Sequence, residues 1–386
     1  MRIGVDACTW NNRRGFGRFT RELLEAVLAV DKTNEYLFFI DSESAESDEF
    51  PSNVKTITAQ TEVSPMEAAS ASGRRSVKDL WSMSREVLHH KIDLFFFPAV
   101  YSYFPIFNRT KIIVTLHDVI ADHHPELIFP NKKSQLFWQL KQNIAIRQAH
   151  LILTVSEHSK EQIIEYFRLP ESRLRVITEA ARAVFTVLPH DEQWNKTLRR
   201  HNLKSNEKFL LYVGGISPHK NLNTLIDAFG RLDGIKLVLV GDYKDDPFFS
   251  AYPALKKQVE ELGLPDKVIF AGYVEDTDLA YLYNAAKLVV LPSLEEGFGL
   301  PAVEAMACGT PVAASNRGSL PEVLGEAGIF FEPKDVENMA AVIEQILSDD
   351  ARREKMSRIG LNRSEQFMWK KAAQDLLLIF NELADR

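Results

Sequence analysis

The segment LEEGFGLPAVEAMACG sets two carboxylates, Glu296 and Glu304, on either side of Gly297-Phe298-Gly299-Leu300-Pro301. It follows directly on KLVVLPS, an apolar run of strand character. The glycines leave backbone N–H groups uncovered, and proline suits the first turn of a helix, where its missing donor costs nothing. Such a helix start favours an anion, because its N–H groups and its dipole both point at one. Glu304, three residues past Pro301, would lie one turn into that helix. A carboxylate there can accept hydrogen bonds from two hydroxyls, as from a ribose. The alternative is a strand-loop-helix turn with a capping acid. One glutamate can serve as a cap; two flanking a glycine-rich anion site exceed that need.

A second loop has matching chemistry. In YVGGISPHKNLNTLIDAF, Gly214 and Gly215 end an apolar run and Lys220 stands just before a helical segment. A lysine at a helix N-terminus is misplaced electrostatically unless an anion sits there, so Lys220 is a candidate diphosphate ligand. The alternative is a solvated lysine beside an Asn221 cap. Asp276-Thr277-Asp278 has the form of a metal-holding triplet, yet it precedes DLAYLYNAA, and an N-cap at Asp278 accounts for it better. His117, Asp118, Asp122, His123 and His124 have metal-ligand composition but lack the i, i+4 histidine pairing of a zinc helix, so no metal is expected. GFGRFT lacks the third glycine of a dinucleotide loop. NRT, NKT and NRS are glycosylation sequons by pattern only.

The elements that must position these residues alternate strand and helix twice over. RIGVDA, YLFFI, VKTIT, DLFFFP, KIIVTLHD, LILTVS and RLRVIT read as strands in the first half. GRFTRELLEAVLAV, SVKDLWSMSREVLHH and NKKSQLFWQLKQNIAIRQAH read as helices, as does SEHSKEQIIEYF with Ser156 as N-cap and Pro170 closing it. The second half offers five strand-like runs, KFLLYVGG, IKLVLVGD, KVIFAGY, KLVVLPS and TPVAAS. Continuous Val/Ile/Leu runs mark strands buried on both faces, the parallel-sheet signature. The expected fold is therefore α/β: two doubly wound, Rossmann-like domains facing a central cleft, with ligands at the carboxyl ends of the strands. The pattern loosens through EAARAVFTVLPHDEQ, so the domains are expected at 1–188 and 189–366, with 367–386 a final amphipathic helix. TAQTEVSPMEAASASGRRS, the low-complexity stretch, is expected to be a mobile loop.

Composition narrows the class. The chain has 386 residues, 45% apolar and 26% charged, as a soluble globular protein would, and its length favours two domains. Cys8 and Cys308 provide no disulfide framework, the N-terminus MRIGVDACTW has no signal-peptide character, and no apolar run reaches about 20 residues. A cytoplasmic location is the expectation. The net charge of −7 argues against nucleic acid. Residues 1–190 hold 23 of the 46 basic and 23 of the 53 acidic residues, so the second half carries the whole acidic excess.

The two loops, with GYVEDTDLAYLYNAAK and the trailing ACGTPV, resemble the nucleotide-sugar domain of retaining glycosyltransferases of the GT-B fold, family four, of mannosyltransferase type. RRGFGRFTRELLEAV is similar to that family's first glycine loop, and TLHDVIADHHPE to its His-Asp loop, so the resemblance spans essentially the whole chain. It implies that Glu304 binds ribose and that Glu296 lies by the donor sugar. It implies that Gly297 and the amides of Phe298, Gly299 and Leu300 meet sugar hydroxyls and diphosphate, with Lys220 on the diphosphate. His117 would lie near the donor sugar, Gly17 and Gly215 near the phosphates, and Gly272, Tyr273 and Val274 against the base. The first domain would be the acceptor side, with the final helix crossing back onto it. Gly215 stands where many members have an arginine, and Arg14 or Arg18 could replace that cation; His219 also departs from the family pattern, which leaves the donor open.

The implied reaction moves a hexose from a nucleotide-diphosphate donor, GDP-mannose before a UDP-sugar, to a hydroxyl of a glycan or lipid-linked acceptor in bacterial surface-polysaccharide synthesis. The leaving diphosphate would be stabilised by Lys220 and helix N-termini without metal or cofactor, with Glu296, His117 and Lys220 as the catalytic set. A sucrose- or trehalose-type synthase with a free sugar acceptor is the alternative enzyme, and a non-catalytic sugar-nucleotide sensor the alternative class. Arg13, Arg14, Arg74, Arg75, Lys132 and Lys133, with the apolar YSYFPIF, would allow peripheral contact with the inner membrane face; ordinary solvated surface is the competing account.

Overall fold

The computed structural model describes residues 1–13, 15–46, 50–63, 76–129, 131–243 and 250–385. Arg14, Arg74, Arg75 and most of TAQTEVSPMEAASASGRRS lie outside them. The chain divides into two compact units, Met1–Glu179 with Trp369–Arg386, and Ala180–Met368.

The first unit is built on β1 (Arg2–Asp6), β2 (Glu35–Ile40), β3 (Lys55–Thr58), β4 (Leu94–Phe97), β5 (Lys111–Thr115), β6 (Leu151–Thr154) and β7 (Leu174–Val176), ordered β3-β2-β1-β4-β5-β6-β7. Every pairing is parallel, and the register sets Ile3 against both Tyr36 and Leu94. Such strands are covered on both faces, which is why LFFF and LILT read as unbroken apolar runs and are buried throughout. The connections are α1 (Gly15–Val30), α2 (Val77–Leu88), the short α3 (Ile120–His123) and α4 (Pro125–Ile128), α5 (Lys132–Gln148) and α6 (Glu157–Phe167). Ser156 caps α6 through Ser159 N–H, as the sequence predicts, but the helix ends on Arg168 in the left-handed region at φ 53°, two residues before Pro170. The turn is made by backbone geometry before the proline is reached.

In the second unit, β8 (Phe209–Val213), β9 (Lys236–Val240), β10 (Val268–Gly272), β11 (Leu288–Leu291), β12 (Val312–Ser315) and β13 (Gly328–Phe331) are ordered β10-β9-β8-β11-β12-β13. The sequence reading missed β13, a four-residue edge strand, Gly-Ile-Phe-Phe, whose first three residues are only partly buried. The helices are α7 (Glu192–Arg200), α8 (Leu222–Phe229), α9 (Tyr252–Glu261), α10 (Asp276–Ala285), α11 (Leu300–Ala307), α12 (Leu320–Leu324), α13 (Val336–Leu347) and α14 (Asp350–Ser364). The core of this unit joins Leu210, Leu237, Leu288 and Val290 of the sheet to Leu225, Phe229 and Ile343 of the helices.

The last helix, α15 (Trp369–Ala384), belongs to the first unit and packs on α1. Its apolar face buries Leu376, Ile379, Phe380 and Leu383, with Phe380 meeting Phe96 edge-on at 5.8 Å. Lys111 Nζ donates to the carbonyls of Leu383 at 2.7 Å and Ala384 at 3.1 Å. A cation there satisfies carbonyls that the helix itself leaves unpaired. Among the described residues no helix is long and apolar enough to cross a membrane.

Candidate active site

The sheet of the second unit reverses its strand order between β8 and β11, where ligands of doubly wound folds sit, at the carboxyl ends of the strands. The two loops singled out from the sequence leave these two strands, and they are bonded to each other. Leu294 N–H donates to the His219 carbonyl at 2.9 Å. Asn221 is not a side-chain cap. It sits in the left-handed region at φ 58°, and its Nδ2 donates to the carbonyls of Pro292 and Pro333 at 3.0 and 2.7 Å. Its Oδ1 accepts from Thr224 at 2.7 Å, so a buried amide pins the loop after β8 to its neighbours.

That frame delivers Lys220 to Glu296. Nζ lies 2.8 Å from Oε1, and the side chains are only 18% and 15% exposed. Ser293 Oγ donates to the same Oε1 at 2.6 Å. Lys220 is thus no solvated lysine, and Glu296 is no helix cap. The Glu296 backbone is held as tightly as its side chain: Ser319 donates to its carbonyl from both N and Oγ at 3.1 Å. Gly318, at φ +62°, packs so close that a Cβ there would stand 2.5 Å from Glu296 N. Tyr212, in β8, is buried and donates to the Gly215 carbonyl at 2.6 Å. Burial, with the nearby Glu296 charge, pushes its phenol well above the usual range, so it remains a donor.

The helix start has the anticipated form. Gly299 takes the N-cap position of α11 at φ +94°, with Pro301 in the first turn. The dihedral calls for glycine at 299, and a Cβ there would also displace Leu320 Cδ2, 2.8 Å away. Phe298 is buried and packs edge-on against Phe367 at 5.6 Å, and Leu300 is buried at the helix start. Glu304 is 1% exposed and accepts from Tyr283 Oη at 2.8 Å. Cys308, at the end of the helix, is buried; burial and then the Glu304 charge push its thiol far up, which keeps it protonated.

Gly272 ends β10 at φ +70°, and its carbonyl accepts from Gly241 N–H at 3.0 Å. Tyr243 Cε1 lies 3.6 Å from where a Cβ of Gly272 would stand. Tyr273 is exposed, with its hydroxyl 3.3 Å from Glu275, and Val274 is buried. Gly215 is exposed and Gly297 lies in the loop between Glu296 and Phe298.

His117 and Gly17 belong to the first unit. His117 Nε2 lies 3.1 Å from the Pro98 carbonyl, which only accepts, so that nitrogen carries the proton. Nδ1 faces Glu179 at 3.7 Å, and Phe19 packs its ring edge-on at 4.8 Å. Gly17 has a packing reason of its own: a Cβ would stand 2.1 Å from the Asn12 carbonyl oxygen.

The Asp276–Asp278 account needs correction. α10 begins at Asp276 with Glu275 as N-cap, so Asp278 lies inside the first turn. It is bound to Arg200 Nη1 at 2.5 Å and to Thr197 Oγ1 at 3.4 Å, a tie to α7 and not a cap. Asp276 pairs with Arg182 at 2.6 Å. In the His-Asp loop, Asp118 accepts from Ile120 N–H, Asp122 from Gln142, and His124 faces Glu126. Among the described residues no three His, Cys, Asp or Glu side chains converge as metal ligands. Sequence reasoning missed Ser293, Tyr283 and Gly318; none stands in a motif of its own, because each acts on a glutamate distant in the chain.

Two doubly wound units are the architecture of the GT-B glycosyltransferases, and here one of them carries a lysine–glutamate pair at its strand reversal. Residues 195–363 match the family model for Glycosyl transferases group 1, and residues 14–180 that for Glycosyltransferase Family 4. The chain belongs to this family of glycosyltransferases. It is 35% identical over 268 residues to the O-antigen chain mannosyltransferase B of Escherichia coli, covering 67% of either chain. A serotype-specific mannosyltransferase of the same organism, WbdA, is 32% identical over 268 residues, and the match spans only 32% of its length. Among solved structures, a sucrose-phosphate synthase from Thermosynechococcus elongatus is similar with TM-score 0.78 and 22% identity over 99% of both chains. HepE of Anabaena, in complex with UDP and glucose, is similar with TM-score 0.74 and 19% identity over 99% of this chain and 100% of that one. At these identities the two structures speak to the fold, the GT-B type, and to nothing finer.

Proposed function

We propose that the chain is a retaining, metal-independent hexosyltransferase that uses a nucleotide-diphosphate sugar, GDP-mannose ahead of a UDP-sugar, and acts on a hydroxyl of a glycan or lipid-linked acceptor in surface-polysaccharide synthesis. The observation that carries it is the Lys220–Glu296 pair, set at the strand reversal of the second unit beside the Gly299 start of α11. The mannosyl donor and the polysaccharide setting are supported by the Escherichia coli relative.

Breaking the bond between sugar and phosphate builds positive charge at the anomeric carbon and negative charge on the departing diphosphate. Lys220 and the amides at the start of α11 supply fixed positive charge for the latter, in place before the reaction begins. Glu296 supplies negative charge for the former while holding the lysine. Glu304 takes the ribose hydroxyls, and Gly272, Tyr273 and Val274 flank the base. His117 and Gly17 keep the roles toward the donor that the family resemblance implies. Peripheral contact of the first unit with the inner membrane face would fall to Lys132 and Lys133 at the start of α5, both exposed.

The test is GDP-mannose and UDP-glucose turnover followed by NMR, with an excess of chelator in one arm. Release of GDP with an α-configured product, undiminished by chelator, is the expected result. An inverted product, or activity abolished by chelator and restored by a divalent ion, overturns the corresponding part.

A further inference from the structure

The sheet of the first unit reverses its strand order in the same way as that of the second, with β1 beside β4 and the remaining strands fanning out on either side. A ligand position is therefore expected where the chain leaves these two strands. In the second unit that place is ionic; in the first it is aromatic. Phe16, reached after β1, stacks on Tyr101, reached after β4, with centroids 4.5 Å and planes 23° apart. Tyr101 in turn meets Trp138, in the first half of α5, at 5.2 Å. All three rings are partly exposed. Lys141 Nζ lies 4.6 Å from the Trp138 ring centre and donates to the Tyr101 carbonyl at 3.0 Å, which fastens the helix to the loop.

A pyranose offers an apolar C–H face. Aromatic surface where the chain leaves β1 and β4, the ligand position of a doubly wound sheet, suits that face in a chain of the glycosyltransferase family.

We propose that Phe16, Tyr101 and Trp138 form the shelf for the sugar ring of the acceptor. This deepens the transferase reading and rests on it. It makes the three aromatic residues determinants of acceptor affinity that leave nucleotide binding alone.

Saturation-transfer NMR on the full chain, with methyl α-D-mannopyranoside and α-linked mannotriose as probes and GDP titrated separately, tests it. Tyr101→Leu keeps bulk and removes the ring; it is expected to weaken saccharide binding about tenfold, with GDP affinity unchanged. Tyr101→Phe keeps the ring and is expected to stay within about twofold of wild type. Trp138→Leu gives the same readout should Tyr101→Leu not fold. Equal saccharide affinity in wild type and a folded Leu variant overturns the shelf, as does a wild type that binds GDP but neither saccharide. Saccharide binding that depends on Tyr101 in a chain that binds no nucleotide upholds the shelf and overturns the donor reading. Loss of binding to phosphatidylglycerol vesicles in Tyr101→Leu, with saccharide affinity intact, assigns the rings to lipid and overturns the proposal.

Discussion

Lys220 Nζ and Glu296 Oε1 stand 2.8 Å apart and join the loops that leave β8 and β11. Both side chains are more than four-fifths buried, so neither charge has water enough to stand alone. Removing one partner of such a pair costs about 3–5 kcal/mol, much of it for the charge left behind, while removing both costs far less. Urea unfolding of Lys220→Met, Glu296→Gln and the double variant should therefore show strong non-additivity, with the double variant more stable than the sum of the single losses allows. Additive losses would mean that the pair is not coupled.

Gly318 is the support that brings Glu296 to the lysine. Gly318→Ala forces a Cβ to within 2.5 Å of Glu296 N at a φ of +62°. The variant should lose about 1–3 kcal/mol and nearly all turnover, because the Glu296 backbone must move. Gly234→Ala is the control: φ is +71°, yet a Cβ there meets nothing within 4 Å, so only the smaller dihedral cost is expected. Equal losses in thermal denaturation of the two variants would remove the packing argument.

Tyr283→Phe deletes the donor to the buried Glu304 carboxylate. A buried acceptor deprived of a partner costs about 1–3 kcal/mol. If Glu304 holds the ribose as proposed, its loss of restraint should lower GDP affinity along with stability. Unchanged calorimetric affinity for GDP would separate Glu304 from the ribose.

Much of this was legible in the sequence for a physical reason. Strands buried on both faces are written as continuous apolar runs, and every such run, from RIGVDA to TPVAAS, is a parallel strand. β13 escaped because its apolar run, Ile329 to Phe331, is only three residues long between Gly328 and Glu332. Lys220, Glu296 and Glu304 stood out through electrostatic misfit, a lysine at a helix entry and two acids around a glycine turn; the structure pairs the first two and buries the third. Asp278 gave the same kind of signal and was misread, since its partner Arg200 lies on another helix and spacing along the chain cannot show it. Ser293, Gly318 and Tyr283 were illegible for the same reason.

Asp122 gives a pH dependence of stability. Burial, aided by the nearby Asp118 charge and opposed by the hydrogen bond from Gln142, pushes its carboxyl up from 3.8 to about 6. A raised carboxyl favours the protonated folded state, so its penalty is absent below the unfolded value and grows as pH climbs through the folded one. Between about pH 4 and about pH 7 the wild type should lose up to ~3 kcal/mol through this group. Asp122→Asn has no proton to lose, so its urea midpoint should decline less over the same range. Parallel pH profiles would show that Asp122 titrates normally.

The most direct test of the central claim, that the second unit holds the diphosphate through Lys220, is calorimetric titration of GDP-mannose and UDP-glucose into wild type and Lys220→Ala, with free guanosine and uridine as phosphate-free controls. Loss of one charge-assisted contact should raise the Kd of the bound sugar nucleotide by about 10- to 100-fold, while any nucleoside binding stays the same. Undiminished affinity of a folded Lys220→Ala for the sugar nucleotide would contradict the account.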